Sequence, residues 1–365
     1  MNVVFLGTRG FPNVQGGVEK HCENLAINLT RLGVNVTVLT RKPYVNKELT
    51  EYEGVKLTAL PAVRKKSLEA LLHTFVGILF CIRLKPDIIH IHGIGPGLFT
   101  PLARLLGFRV VLTTHGSNYM HEKWNKAEKC FLKLCEAVSM KFSNSIIAVS
   151  DIIAEDVQRL YGRQAHYIPN GIQLEHGEEA SGILEKLCLN SGKYILAVGR
   201  LVPEKGLHTL LDALEFMDQT DWRVAVVGNA DHESKYACEL VERMKQDKRV
   251  AYVGFLTGSS LCEMYKNAGV YVLASSYEGM PISLLEAMSA GVPCIASDID
   301  ANLTLGLPED SYFPSGDSKK LGYKLNECIH GSGPLCLTKE QTDSLTSKFD
   351  WRVIAEQTLQ IYSDA

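Results

Sequence analysis

Two glutamates, Glu278 and Glu286, flank a glycine and proline turn in the run Ser276-Tyr-Glu-Gly-Met-Pro-Ile-Ser-Leu-Leu-Glu-Ala-Met-Ser-Ala-Gly-Val-Pro-Cys-Ile-Ala-Ser297. An apolar, strand-like stretch, Val270–Ala274, precedes it. Pro281 stands where a helix would begin, because the N–H that proline lacks would be unpaired at the first helical position. Gly291 and the following Val292-Pro293 mark that helix's end. Glu278 is then expected in the loop and Glu286 about a turn and a half into the helix. Gly279, Met280, Pro281, Ile282 and Ser283 lie between them at the helix N-terminus, where unpaired amides and the helix dipole favour an anion. Carboxylates accept hydrogen bonds from hydroxyls, so a pair of them around a phosphate-sized cradle points to a sugar and a ribose joined by a diphosphate.

A cationic pair with suitable chemistry lies upstream. The strand-like Tyr194–Gly199 runs into Arg200-Leu-Val-Pro-Glu-Lys-Gly206 and then a helical pattern. Ligands of open α/β sheets bind beyond the carboxyl ends of strands, so this loop is placed for chemistry. Arg200 offers a planar donor fork and Lys205 a mobile point charge, a combination suited to a diphosphate. Near the start, Gly7-Thr-Arg-Gly10 lacks the spacing of a dinucleotide fingerprint, which argues against a nicotinamide dehydrogenase. Gly16-Gly17 opens a helix at Val18 and offers a second nest of backbone amides, where a bulkier residue would block a sugar or its phosphate.

The elements that must carry these loops alternate throughout. Strands are expected at Val3–Gly7, Val34–Thr40, Val55–Leu60, Asp87–His92, Arg109–His115 and Ser145–Ser150, then at Tyr194–Gly199, Arg223–Gly228, Val250–Gly254, Val270–Ala274 and Cys294–Ser297, with helices between. Such alternation over 365 residues argues for two parallel, doubly wound α/β domains. The boundary is placed at 172/173, after the Pro169-Asn-Gly turn signal, giving domains 1–172 and 173–348 and a closing helix in 349–365.

Composition is that of ordinary globular protein, 46% hydrophobic and 22% charged. The net charge of −3 is unevenly spread: residues 1–172 carry 21 Lys and Arg against 13 Asp and Glu, a net of +8, and the remainder carries −11. The first half is thus expected to meet something anionic. Nucleic acid is disfavoured, since aromatic interleaving and a basic recognition helix are missing. Arg64-Lys65-Lys66 precedes a largely apolar helix whose uncharged stretch, Ala70–Ile82, is 13 residues long. That falls short of the ~20 needed to span a bilayer. It suits a packed helix, peripheral docking on an anionic membrane surface, or both. Ten cysteines without CxxC pairs read as free thiols of a cytoplasmic protein. Met1–Leu6 is too short for a secretory apolar core.

The Glu278-to-Glu286 spacing, in the setting Glu-Gly-Met-Pro-Ile-Ser-Leu-Leu-Glu-Ala-Met, resembles the E-x7-E element of family 4 glycosyltransferases. The Gly199-Arg200…Glu204-Lys205-Gly206 segment is similar to that family's phosphate clamp, and the resemblance covers nearly the whole chain. Leu6-Gly-Thr-Arg-Gly-Phe-Pro12 with Gly-Gly-Val-Glu19 resembles a branch of bacterial surface-polysaccharide enzymes often labelled rhamnosyltransferases, Val18 replacing the usual Phe. The branch is also echoed by His90-Ile-His-Gly93 and Thr114-His-Gly116. Its usual Gly-Leu-Glu/Asp-Trp is Gly116-Ser-Asn-Tyr119 here, which leaves sugar and acceptor preference open.

The resemblance implies a GT-B fold, two Rossmann-like domains facing each other across a deep cleft, with the last helix returning to the first domain. It implies retaining, metal-independent transfer from a UDP-, dTDP- or GDP-linked sugar to a saccharide acceptor, lipid-linked in surface-polysaccharide synthesis, with no cofactor. Arg200 and Lys205 would stabilise the leaving diphosphate, Glu286 would hold the ribose and Glu278 the sugar hydroxyls. Gly254 and Leu256 would line the base. Gly16, Gly17 and His115 would stand near the reacting carbon, while His90 and His92 line the acceptor side or pack. A GT-B nucleotide-sugar epimerase, which turns over without an acceptor, and a non-catalytic nucleotide-sugar binder are the alternatives.

Overall fold

The computed structural model describes residues 1–63, 68–116, 125–172, 181–231 and 234–365. The basic triplet Arg64-Lys65-Lys66, the Ser117–Trp124 stretch after His115 and most of the polar segment after the Pro-Asn-Gly turn lie outside the described residues. The chain forms two compact units, one of Met1–Gly171 with Phe349–Ala365, the other of Ile172–Lys348.

The first unit is built on an eight-stranded sheet of β1 (Asn2–Leu6), β2 (Asn35–Arg41), β3 (Glu51–Tyr52), β4 (Val55–Leu60), β5 (Ile88–His92), β6 (Arg109–Thr114), β7 (Ser145–Ala148) and β8 (His166–Tyr167). Its order is β3-β4-β2-β1-β5-β6-β7-β8, parallel except for the two-residue β3 at the edge. The alternation of a strand divides β1 between two cores. Val3 and Phe5 pack with the Gly17–Arg31 helix, while Val4 and Leu6 pack with Ile78 and Cys81 of the Glu69–Leu84 helix. Helices on both faces explain why these strands are apolar on both faces.

The C-terminal segment completes the first of these cores. Asp350 accepts from the Arg352 amide to cap a helix over Trp351–Asp364. Trp351, Ile354, Ala355, Ile361 and Tyr362 of this helix join the cluster that holds Val3 and Phe5. The Asn170-Gly171 turn is packed rather than loose: Asn170 is buried, and a Cβ on Gly171 would come within 2.5 Å of the Trp351 ring.

The second unit has β9 (Tyr194–Val198), β10 (Arg223–Val227), β11 (Val250–Gly254), β12 (Val270–Leu273), β13 (Cys294–Ser297) and β14 (Tyr312–Phe313), all parallel in the order β11-β10-β9-β12-β13-β14. Ile195 and Ala197 face one core and Tyr194 and Leu196 the other. Each sheet reverses its winding once, between β1 and β5 in the first unit and between β9 and β12 in the second. The loops leaving those strand pairs open on the crevice where doubly wound sheets bind ligands.

The ten cysteines are free thiols. Among the described residues, no helix is long and apolar enough to cross a membrane.

Candidate active site

In the second unit, the loops after β9 and β12 leave neighbouring strands at the point of reversal and are stitched together. The Ser276 amide donates to the Glu204 carbonyl at 2.9 Å. Gly206 has a φ of +62°, and a Cβ there would lie 1.9 Å from the Ala274 carbonyl oxygen, so only glycine fits. This contact sets Lys205 beside Glu278, 73 residues away in sequence: Lys205 Nζ donates to Glu278 Oε1 at 2.6 Å. Ser275 Oγ donates to the same oxygen at 2.6 Å. Both charged side chains are largely buried, at 17% and 10% exposure. No described group engages the second oxygen, Glu278 Oε2, which leaves it to accept from a hydroxyl.

The other cation is also partnered. Arg200 Nη1 lies 2.7 Å from Asp231 Oδ2, a carboxylate on the loop that follows β10. Both phosphate-binding candidates thus rest against carboxylates instead of standing bare. Asp231 escaped the sequence reading, although its place just beyond a strand's carboxyl end, in Asn229-Ala-Asp231, was the available signal.

The helix after the β12 loop covers Ile282–Ser289, with Pro281 as its N-cap and not its first residue. The Leu284 and Leu285 amides donate to the Pro281 carbonyl at 3.2 Å, and the Ile282 and Ser283 amides precede the first intrahelical partners. Gly291, at φ +73°, follows the last turn, where a left-handed residue commonly ends a helix. Gly279, Met280, Ile282 and Ser283 are partly exposed and Pro281 is buried. The Ser283 hydroxyl is fixed by Tyr271 Oη at 2.8 Å. Glu286 is buried and accepts from Tyr265 Oη at 2.9 Å. That phenol is held well above its ordinary pKa, by burial first and the Glu286 charge second, so it remains a donor. Gly254, at φ +79°, and Leu256 are half-buried at the end of β11.

In the first unit, the helix that begins at Gly17 is preceded by Gly16 as N-cap at φ +145°. That φ is one that L side chains rarely adopt, which favours glycine there. A Cβ on Gly16 would fall 2.1 Å from Glu19 Oε2 and 2.7 Å from Arg9 Nη2, so this chain's own ion pair claims the space. An anion reaching the Gly16–Gly17 turn meets the Glu19 carboxylate, and Arg9, which donates to Glu19 Oε1 at 3.0 Å, is the compensating cation.

His115 follows β6 and is partly exposed. It belongs to a group of histidines that sequence reasoning saw only in part. Its Nε2 lies 3.5 Å from His92 Nδ1. His21, on the Gly17–Arg31 helix, sits edge-on to His115 with ring centroids 4.8 Å apart, and bonds Asn170 Oδ1 through Nδ1 at 2.8 Å. His90 is tied to Tyr362 Oη at 2.6 Å and to Thr113 Oγ1 at 2.7 Å, a structural role. His21 had been hidden inside an amphipathic helix pattern.

Burial holds these imidazoles neutral. His21 is lowered to about 4, and His90, His92 and His115 lie well below the ordinary value of 6.5, desolvation being the main cause in each. His73, buried against the Thr40 carbonyl, is also lowered to about 4 by desolvation. The unfolded chain therefore binds protons below pH 6.5 that the folded unit refuses, and stability must fall as pH drops from there toward 4. Melting temperature is expected to be level near pH 7.5 and to decline steeply below 6. A profile unchanged down to pH 4.5 would contradict this account of the histidines.

Two Rossmann-like domains with parallel sheets, the second carrying an Arg–Lys loop against an amide-lined helix start at its winding reversal, define a GT-B glycosyltransferase. Comparison with known proteins agrees: residues 15–176 match Glycosyltransferase Family 4 and residues 185–332 match Glycosyl transferases group 1. The chain belongs to the family 4 glycosyltransferases. It is 26% identical to an uncharacterized glycosyltransferase of Methanocaldococcus jannaschii, over 97% of this chain and 96% of that protein. It is 27% identical to a phosphatidyl-myo-inositol mannosyltransferase of Mycobacterium leprae, over 96% and 93%. It is 30% identical to a UDP-Gal:alpha-D-GlcNAc-diphosphoundecaprenol alpha-1,3-galactosyltransferase of Escherichia coli, over 60% and 59%. Among solved structures, sucrose-phosphate synthase of Thermosynechococcus elongatus superposes with a TM-score of 0.83 at 22% identity, covering 100% of this chain and 98% of that one. Anabaena HepE in complex with UDP-glucose gives 0.81 at 19% identity with both chains covered completely. These last two likenesses speak to the fold.

Proposed function

We propose that the protein is a retaining, metal-independent glycosyltransferase that moves a sugar from a nucleotide-sugar donor to a lipid-linked saccharide in surface-polysaccharide synthesis. The observation that carries the donor assignment is the Lys205–Glu278 pair beside the Ile282 helix start, at the winding reversal of the second sheet. A diphosphate at that helix start would draw Lys205 and Arg200 from their carboxylate partners. As charge grows on the departing nucleotide, preorganised cations and amides stabilise it, the work a metal ion does in other sites. Glu278 Oε2 accepts from sugar hydroxyls, Glu286 from the ribose, and Gly254 and Leu256 border the base. Gly16, Gly17 and His115 serve the acceptor side. The acceptor attacks on the leaving-group face and passes its proton to a phosphate oxygen. UDP-glucose on HepE, and the diphosphoundecaprenol-linked acceptor named for the Escherichia coli relative, support this choice of substrates.

The test is thermal shift in EDTA against UDP, dTDP, GDP and their sugar conjugates. A ligand that binds only the folded state adds about 2.7 kcal/mol at a hundredfold excess over Kd. One nucleotide family is expected to raise the melting temperature, and Lys205→Ala should abolish the shift. No shift at millimolar concentrations would overturn the proposal.

A membrane-facing acceptor agrees with the Glu69–Leu84 helix, whose inner face buries His73, Gly77, Ile78 and Cys81. Its outer face, with Leu68 just before it, exposes a stripe of Leu68, Leu72, Phe75, Leu79 and Ile82 at helical spacing, each at least 39% accessible. Such a stripe is unusual on a free surface and suits the interfacial layer of a bilayer. Leu72→Ser together with Leu79→Ser is expected to reduce binding to vesicles containing phosphatidylglycerol at least tenfold without lowering the melting temperature. Unchanged binding would remove this part of the proposal.

A further inference from the structure

We propose that His21, His92 and His115 form a binding site for one divalent transition-metal ion of the zinc class. One ring nitrogen from each lies within 4.8 Å of the other two. The three ring centroids are 5.4, 4.8 and 5.7 Å apart. Three imidazoles on a tetrahedral ion, with metal–nitrogen bonds of about 2.0–2.1 Å, place their centroids roughly 5 Å apart. Each observed centroid distance is within about 0.7 Å of that spacing. The 3.5 Å between His115 Nε2 and His92 Nδ1 is long for a hydrogen bond but close to the roughly 3.4 Å edge of two nitrogens sharing a tetrahedral ion.

A second observation is independent of the spacing. His21 is 2% exposed, and among the described residues its buried Nε2 has no hydrogen-bond partner. Its Nδ1–H donates to Asn170 Oδ1, so the lone pair falls on Nε2. A histidine held through one nitrogen by a carbonyl oxygen, with the other left bare, is arranged as a metal ligand is. Trp351 packs against the same ring at 5.4 Å and fixes its plane. The donors are three neutral imidazoles with no carboxylate or thiolate among them. That set favours Zn2+, Co2+, Ni2+ or Cu2+ over Mg2+ or Ca2+. His115 is the partly exposed member, which offers an entry path, and a water could complete the fourth position of a tetrahedral ion. His115 also serves the acceptor side in the proposed function, so a bound ion and an acceptor would compete for its ring.

The test is Co2+ titration of untagged wild-type protein followed by visible absorption, with Zn2+ displacement measured by calorimetry. One Co2+ per chain is expected, with the intense visible bands of tetrahedral cobalt and no thiolate charge-transfer band from the cysteines. His92→Gln should weaken binding on the order of 100-fold or more, and Asn170→Ala, which keeps all three ligands, by about 10–100-fold. Absence of stoichiometric binding to the wild type at micromolar concentrations overturns the proposal, whatever the variants do. A thiolate band, an octahedral spectrum or undiminished binding in folded His92→Gln overturns it too. None of these readouts depends on sugar transfer, so the result is separable from the transferase reading.

Discussion

Replacing Lys205 with alanine is expected to lower kcat/KM for sugar transfer by roughly 10²–10³-fold, the usual cost of removing one preorganised donor from developing negative charge. Most of the loss should fall on kcat, because charge on the leaving diphosphate is greatest in the transition state. The substitution also leaves Glu278, which is largely buried, with Ser275 as its remaining described partner. Losing one member of such a pair destabilises by about 1–3 kcal/mol. Glu278→Ala removes a different contact, the proposed one to sugar hydroxyls, but it also frees the Lys205 ammonium from its resting position. The two changes should therefore be non-additive, with the double variant falling short of the product of the single losses. Steady-state kinetics of the two single variants and the double variant measure this directly. Near-wild-type kcat/KM in folded Lys205→Ala would mean that the cation is structural and that the donor phosphates bind elsewhere.

That pairing marks the limit of what the chain discloses as a string. The strands were legible because buried parallel strands are short apolar runs that end in glycine or polar turns. Gly7, Gly199 and Gly228 each fall one residue past the observed strand, since glycine there begins the turn. The two-residue β3, β8 and β14 were missed, as two residues carry no period. The positions of Glu278 and Glu286 relative to the Ile282 helix followed from Pro281 and Gly291, with the proline one place earlier than expected. Partners were not legible. Lys205 meets Glu278 across 73 residues, and Arg200 meets Asp231 across 31, because sheet order, not sequence distance, brings those loops together. The Arg9–Glu19 ion pair beside Gly16 was likewise not read from the string, although its members lie only ten residues apart. His21 could not be paired with His115 before β5, β6 and the Gly17 helix were in place.

Trp351→Ala is expected to be the most destabilising single change, at about 3–5 kcal/mol, the range for emptying a large aromatic site in a core. The residue is 5% exposed and belongs to the cluster that joins the C-terminal helix to Val3, Phe5 and the Gly17 helix. Gly171 lies against its ring so closely that collapse from that side is limited to a backbone shift. Trp351→Phe separates packing from polarity. Among the described residues the buried indole Nε1 has no partner, so phenylalanine gives up a donor that costs free energy to bury while keeping most of the volume. Its net effect should stay under about 1.5 kcal/mol. Denaturant unfolding followed by near-ultraviolet dichroism distinguishes the two, provided the units are scored as separate transitions. If alanine and phenylalanine were equally mild, the C-terminal helix would be an ornament on the first unit. If alanine alone is severe, the residues after Lys348 are part of that unit's core, and the plane of His21, against which Trp351 packs, is set from the far end of the chain.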